Sequence, residues 1–119
     1  AETAAAMTRA AAEALNLQLF AKQSPASALT AIAPPEGFDS GAIVKAFRED
    51  FGAVVANGQG DMKGKMFRIA HLGFYDYLDT IAIIGALEQV IAKVKTPLPN
   101  FEFGKGLIAA QKVYAERVK

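Results

Sequence analysis

The stretch from residue 75 to residue 95 constrains the fold of this 119-residue chain more than any other feature of its sequence. Apolar side chains recur there at three- and four-residue steps, the spacing of one face of an amphipathic helix. They are Tyr77, Ile81, Ile84, Leu87, Ile91 and Val94. The charged residues that fall outside this pattern are Asp79, Glu88, Lys93 and Lys95. A helix of this length must bury its apolar face, so the remaining segments have to supply elements that cover it.

Three further helices are predicted. Residues 3 to 15 are strong helix formers throughout and contain neither Gly nor Pro. Asp39 or Ser40 can cap a second helix, and Gly52 is well placed to end it. A final helix is expected from about residue 106 to residue 118. All three, like the long helix, show an apolar side that needs a partner.

Short apolar runs between the helices predict strands. Residues 28 to 33 form the first run, and Pro34 and Pro35 end it because proline cannot donate to a sheet ladder. Residues 53 to 56 and 66 to 70 form two more. Only about nine residues without a helical pattern join these last two runs, and a parallel return needs a longer crossover. We therefore expect the two strands to be antiparallel neighbours.

The order helix, strand, helix, strand, strand, helix, helix is typical of an α+β protein. We predict a two-layer α/β sandwich, in which the helices pack on one face of a small, mainly antiparallel sheet of three to four strands. Residues 17 to 21 alternate weakly and predict either a short edge strand or a loop. Residues 1 to 119 are expected to form a single domain, since a chain of this length leaves little room for two.

Composition excludes several classes of function. Thirteen Lys and Arg against twelve Asp and Glu give a net charge of +1, whereas general nucleic-acid binders carry a strong basic excess. The chain has no Cys and one His, His71, which excludes disulfide scaffolds, thiol nucleophiles and multi-His metal sites. No apolar run approaches the roughly 20 residues that cross a bilayer, and charges interrupt the Ala-rich N-terminus. We expect no metal, nucleic acid or membrane partner.

Arg68 is the most informative polar residue for function. Strand alternation from residue 66 to residue 70 places it on the face opposite Phe67 and Ile69. An arginine in the middle of a short apolar strand needs an acidic partner or an anionic ligand. Its planar guanidinium can bind a carboxylate through two parallel hydrogen bonds, which suits an α-carboxylate substrate. A salt bridge to Asp or Glu, or a solvent-facing position, explains the residue equally well at this stage.

Two neighbouring features are less specific. Residues 57 to 65 contain three glycines and two lysines, which suit either an anion-cradling loop or a surface hairpin loop with solubilising charges. Neither a Walker spacing nor a following helix N-terminus is present. His71 has no nucleophile motif nearby, so it is better explained as a hydrogen-bonded structural residue than as a base. The residues themselves thus indicate one candidate anion site and no catalytic apparatus.

A run of residues around Arg68 resembles a known family. It comprises Gly58-Gln59-Gly60, then KGKMFRIAHLG at residues 63 to 73, then the long amphipathic helix. Its most specific part is the Phe-Arg-Ile-x-His-x-Gly stretch. The combination resembles the C-terminal small domain of class V aminotransferases, which are pyridoxal-phosphate enzymes of fold type I. This family includes the alanine–glyoxylate and serine–pyruvate aminotransferases, and its closest-looking members are often labelled soluble hydrogenase small (tritium-exchange) subunits.

The resemblance covers roughly residues 3 to 95, including LTAIAPPEG at residues 29 to 37. Residues 101 to 119 look like a helical tail of the hydrogenase-labelled subgroup. The resemblance implies that residues 1 to 95 are the aminotransferase small domain and that a large cofactor-binding domain lies N-terminal to Ala1. The absence of a starting Met fits a piece of a longer protein.

The resemblance also implies a role for individual residues. Arg68 matches the arginine that holds the α-carboxylate of the amino-acid or 2-oxo-acid substrate. His71 and Gly73 would shape the turn behind it, and Gln59 would lie near the mouth of the active site. The lysine that forms the internal aldimine and the rest of the cofactor site belong to the large domain in this family. We therefore expect no catalytic, cofactor-binding or metal-binding residue in this chain.

For the full-length enzyme the resemblance implies pyridoxal phosphate as cofactor, a homodimer and a cytoplasmic location. The 119-residue chain alone is then expected neither to bind pyridoxal phosphate nor to transaminate. The main alternative is a freestanding α+β module that binds small carboxylates or regulates without catalysis. Nucleic-acid binding through the Gly/Lys loop is a third possibility, which the balanced charge disfavours.

Overall fold

The computed structural model shows four helices and three strands within the residues it describes. These residues are 2–19, 29–35, 38–52, 55–58, 60, 64–70, 76–93 and 101–117. In chain order the elements are α1 (Glu2–Ala14), β1 (Leu29–Ile32), α2 (Ser40–Phe51), β2 (Ala56–Asn57), β3 (Phe67–Ala70), α3 (Asp76–Lys93) and α4 (Lys105–Arg117). The predicted α+β order is confirmed.

Helix α2 is bounded by two residues that favour helix ends, Asp39 before it and Gly52 after it. Asp39 has an extended backbone, and its Oδ1 accepts a hydrogen bond of 2.6 Å from the N–H of Gly41. Asp39 is therefore the N-cap, and Ser40 is the first helical residue. Gly52 adopts the left-handed conformation at φ 63°, and its N–H donates to the carbonyl of Arg48. Glycine is favoured at this position because it has no Cβ.

Helix α1 ends in a Schellman-type turn. Asn16 takes the left-handed conformation at φ 62°, which asparagine tolerates better than most residues. Its N–H donates to the carbonyl of Glu13 at 3.0 Å, and the N–H of Leu17 donates to the carbonyl of Ala12 at 2.8 Å. The turn satisfies the last carbonyls of the helix and directs Leu17 into the core.

The sheet has three antiparallel strands in the order β1-β3-β2. The sequence prediction of antiparallel β2 and β3 is confirmed. The observed β2 overlaps the predicted run of residues 53 to 56 only at Ala56 and extends to Asn57, which was expected to open the loop. Asn57 belongs to the strand because it pairs with Phe67 of β3. Residues 53 and 54 lie outside the described part of the chain.

The segment from residue 17 to residue 21 makes little sheet structure where it is described. Leu19 forms one isolated antiparallel bridge with Ile32. Beside it, the N–H of Ala33 donates to the carbonyl of Gln18 at 2.9 Å. Residues 20 and 21 fall in a range that the structure does not describe. The described residues of the segment therefore flank β1 without forming a regular fourth strand.

The main apolar cluster lies on one face of the sheet. Four side chains of β1 and β3 point into it and are almost completely buried: Thr30, Ile32, Phe67 and Ile69. Helices α1, α2 and α3, with Leu15 directly after α1, cover them; the residues are Ala12, Leu15, Ile43, Phe47, Leu87, Val90 and Ile91. The opposite face carries Ala31, Ala56 and Arg68, which are part-exposed or exposed. The expectation of helices on one face of a small sheet is therefore confirmed.

Helix α4 closes a second apolar cluster with α1 and α3. The buried members of this cluster are Met7, Ala11, Ile84 and Ala110. At its edge the rings of Tyr77 and Tyr114 pack with centroids 4.3 Å apart.

Among the described helices, none combines the length and the apolar character that a membrane span needs.

The carboxylate of Glu88 holds the beginning of α4. Glu88 is 3% exposed, and its two oxygens accept hydrogen bonds from the N–H of Gly104 at 2.7 Å and of Leu107 at 3.1 Å. The apolar pattern of the long helix had placed Glu88 off the buried face. Its burial follows from the contact with α4, whose first N–H groups have no partner within their own helix.

Candidate functional site: an arginine on the central strand

The middle strand places Arg68 at the centre of the sheet surface that faces away from the main apolar cluster. The antiparallel register sets Ala31 of β1 and Ala56 of β2 directly opposite it. Both neighbours end in a single methyl group, so neither reaches over the guanidinium. Phe67 and Ile69 point the other way into the core. We call the surface formed by Ala31, Ala56 and Arg68 the arginine face.

The guanidinium of Arg68 is only partly satisfied. Its Nη2 donates to the main-chain oxygen of Asn57 at 3.0 Å. Its Nε is buried and has no hydrogen-bond partner. Within the described ranges, the ion pairs join other residues, and no carboxylate is paired with Arg68. A buried donor without a partner costs about 1–3 kcal/mol, so this side chain is suited to receive an anion.

The residue whose main-chain oxygen accepts the hydrogen bond from Arg68 is itself hydrogen-bonded to several segments. The Oδ1 of Asn57 accepts hydrogen bonds from the Ser40 hydroxyl at 2.6 Å, from the N–H of Gly58 at 2.9 Å and from the N–H of Gly64 at 3.4 Å. Ser40 is fully buried, and its own N–H donates to the carbonyl of Gly64 at 3.0 Å. The first turn of α2, the end of β2 and the segment before β3 therefore meet at Asn57.

The approach of Gly64 to α2 leaves no room for a side chain. Gly64 has φ +84°, and a Cβ there would lie 2.6 Å from the Oδ2 of Asp39. Only glycine combines this conformation with this contact. Since Asp39 also caps α2, the segment that leads into β3 is locked against the beginning of that helix.

Of the four site residues predicted from the sequence, the structure describes Arg68. Gln59, His71 and Gly73 lie outside the described residues, and their roles stay predictions. The structure adds Asn57, for which the sequence predicts only a position at the start of a polar loop. Its one indication in the sequence is an Asn-Gly pair after an apolar run, which predicts a turn but not the strand that the turn faces.

The described residues do not fit a metal or a pyridoxal-phosphate site. No group of three His, Asp or Glu side chains within the described ranges could hold a metal ion. A lysine that forms a Schiff base needs a desolvated position. The described lysines Lys45, Lys65, Lys93 and Lys112 are exposed, and Lys105 is part-exposed at the start of α4. We therefore derive no step through the cofactor from this chain.

Known proteins similar in sequence are aminotransferases and proteins named as hydrogenase subunits. A soluble hydrogenase small subunit of Synechococcus sp. is 44% identical over 107 residues, which are 89% of this chain and 27% of that protein. An L-aspartate–glyoxylate aminotransferase of Paracoccus denitrificans is 34% identical over 110 residues, 91% of this chain and 27% of that enzyme. This chain thus spans about a quarter of the length of the curated relatives it matches. No protein-family model matches it.

Two solved aminotransferase structures share the fold. The ureidoglycine–glyoxylate aminotransferase of Bacillus subtilis matches with a TM-score of 0.83 and 26% identity, over 96% of this chain and 29% of that one. The pyridoxamine–pyruvate aminotransferase of Mesorhizobium loti matches with a TM-score of 0.81 and 30% identity, over 98% of this chain and 30% of that one. The fold of this chain therefore corresponds to one region of larger proteins.

Proposed function

This chain is a homologue of part of the class V aminotransferases, and we propose that it is the substrate-carboxylate-binding small domain of such an enzyme. The longer protein would transfer an amino group between an amino acid and a 2-oxo acid. A large N-terminal domain would hold pyridoxal phosphate, and the full-length enzyme would work as a cytoplasmic homodimer. Within this proposal, Arg68 is the residue through which the chain acts on the substrate.

The observation that carries the proposal is the incompletely paired guanidinium on the central strand. An amino acid and a 2-oxo acid share the α-carboxylate, so one cation can serve the amino donor and the acceptor in turn. The planar fork of arginine matches a carboxylate through two parallel hydrogen bonds. A rigid strand then sets the direction in which the rest of the substrate points.

The part assigned to Arg68 is binding and orientation. An arginine guanidinium donates hydrogen bonds and accepts none, so this part involves no proton transfer. Ala31 and Ala56 on either side contribute only methyl groups next to Arg68, which leaves its fork free of long cross-strand side chains. Which amino donor the enzyme accepts would be decided by contacts beyond the shared carboxylate.

Replacing Arg68 in the full-length protein tests the proposal. We expect Arg68→Ala to raise KM for the amino donor and for the 2-oxo acid together, and to lower kcat/KM by about 30- to 1,000-fold, because the carboxylate loses its charged partner. The kcat/KM of Arg68→Lys should lie between that of Arg68→Ala and that of the unsubstituted enzyme, because lysine keeps the positive charge but lacks the planar fork of donors. Steady-state kinetics with both substrates measure the effect.

Lys112→Ala is the matched control for that experiment. It removes one positive charge from an exposed residue of α4, so it reports the effect of net charge alone. Its kinetics should stay near those of the unsubstituted enzyme. Unchanged KM values in Arg68→Ala would remove Arg68 from the substrate site.

The freestanding carboxylate-binding module remains the second proposal, because the same guanidinium could bind a carboxylate without catalysis. The coding sequence upstream of Ala1 separates the two. A large domain in the same reading frame supports the enzyme, whereas a start codon directly before Ala1 supports the module.

A further inference from the structure

The hydrogen bond that orients Arg68 is accepted by main chain, so its geometry depends on what holds that main chain. The acceptor is the carbonyl oxygen of Asn57, 3.0 Å from Nη2. Within the described residues, strand β2 is only two residues long and pairs with β3 at Ala56 and Asn57. Just beyond it, the N–H of Gly58, in the same peptide group as the Asn57 carbonyl, donates to the carbonyl of Met66 at 3.1 Å. The ladder ends at this peptide group, so the side-chain contacts of Asn57 add to its support.

The side chain of Asn57 supplies those contacts. Its Oδ1 accepts from the fully buried hydroxyl of Ser40 in α2, and from the N–H of Gly64 on the approach to β3. Ser40 and Gly64 are joined to each other by a main-chain hydrogen bond of 3.0 Å. Asn57 is thus fixed to two segments that are also fixed to each other.

We propose that Asn57 is a positioning residue for substrate binding, which sets the plane of the Arg68 guanidinium through its main-chain carbonyl and is itself held by its side chain against Ser40 and Gly64. This inference rests on the proposed role of Arg68 in binding the substrate carboxylate. It adds a residue that does not touch the substrate and acts only through Arg68.

The expected effect follows from what the side chain does. Without Oδ1, the Ser40 hydroxyl and the Gly64 N–H lose their acceptor, and the carbonyl of residue 57 gains freedom to move. The guanidinium then has to be ordered by the substrate when it binds, which weakens binding by the cost of fixing one long side chain. We expect Asn57→Ala to raise KM for donor and acceptor by about 3- to 10-fold with little change in kcat.

The test uses the full-length enzyme and a double-mutant cycle. KM for both substrates and the inhibition constant of acetate, which reports on a carboxylate site alone, are measured for Asn57→Ala, Arg68→Ala and the double variant. If Asn57 acts through Arg68, Asn57→Ala has no further effect once Arg68 is gone.

Two further variants separate positioning from general destabilisation. Ile84→Ala shortens a fully buried side chain of the second apolar cluster and should lower the melting temperature without changing KM. Ser40→Ala removes one of the donors to Asn57 and should raise KM by about two- to threefold, an effect that again disappears beside Arg68→Ala. If Asn57→Ala does not fold, Ser40→Ala still tests whether the contacts of Asn57 affect KM through Arg68.

The results distinguish the inference from the function on which it rests. If Arg68→Ala raises KM while Asn57→Ala and Ser40→Ala leave it unchanged, Arg68 binds the substrate and Asn57 does not position it. Equal effects of Asn57→Ala with and without Arg68 would likewise overturn the inference. If Arg68→Ala itself leaves KM and acetate inhibition unchanged, the proposed function fails as well.

Discussion

The chemistry of Arg68 depends on its two cross-strand neighbours as much as on its own charge. Ala31 and Ala56 place no long side chain over the guanidinium, and Asn57 accepts one of its five N–H donors. The alternation of Phe67 and Ile69 predicts the face on which Arg68 lies. The identity of its neighbours depends on pairing register, which local sequence does not encode.

Gly64 offers a prediction at the same scale. We expect Gly64→Ala to destabilise the chain by about 1–3 kcal/mol, because alanine is strained at φ +84° and its Cβ would lie 2.6 Å from the Asp39 carboxylate. Thermal or urea unfolding of the 119-residue chain measures the loss. Gly60→Ala is the control, because Gly60 also has a positive φ of +57° but a Cβ added there would have no atom within 4 Å. Equal losses in the two variants would show that the contact with Asp39 contributes nothing.

At the scale of elements, helix ends connect the layers of the molecule. The hydrogen bond from Ser40 to Asn57 brings the beginning of α2 to the sheet, and Glu88 of α3 brings the beginning of α4 to the helical layer. Capping residues in the sequence predicted where α2 begins and ends. The partner of α4 could not be predicted in this way, because Glu88 lies in another helix and reads as an ordinary charged position in the pattern of α3.

The role of Glu88 can be tested by removing its carboxylate. Glu88→Ala should lower the free energy of unfolding by about 1.5–3 kcal/mol, since the N–H groups of Gly104 and Leu107 lose a charged acceptor in a buried position. Amide hydrogen exchange should speed up along α4 before it does in α2. Glu116→Ala, at an exposed position of α4, is the matched control. A loss no larger than that of Glu116→Ala would contradict the capping role.

At the scale of the whole molecule, the described part of the chain has a packed core and a surface on which some large apolar side chains are exposed. Several large apolar side chains are exposed within the described ranges, among them Leu78, Phe103 and Ile108. The homologous proteins are roughly three times as long as this chain, since an aligned stretch of 107 residues is 27% of one of them. In the proposed full-length enzyme, a large domain would be available to cover part of this surface and would carry the cofactor chemistry.

The proposal assigns pyridoxal phosphate to the large domain and the substrate carboxylate to this chain. It therefore predicts how the isolated chain behaves with pyridoxal phosphate. The described lysines are exposed or part-exposed, so we expect no stoichiometric cofactor binding by the purified 119-residue chain. Absorbance spectra after incubation with pyridoxal phosphate and dialysis measure it, with the full-length protein as the positive control. A cofactor band that survives dialysis of the short chain would contradict the assignment of the cofactor to the large domain.

The sequence by itself determined the kind and order of the elements, the antiparallel relation of β2 and β3, and the candidacy of Arg68. These properties follow from local periodicity, capping residues and loop length, all of which can be counted along the chain. Only the tertiary structure decided that Ala31 and Ala56 flank Arg68, that Asn57 joins the sheet, and that Glu88 is buried against α4. Each of these depends on contacts between residues distant in sequence, whose register and partners are set by packing of the whole chain.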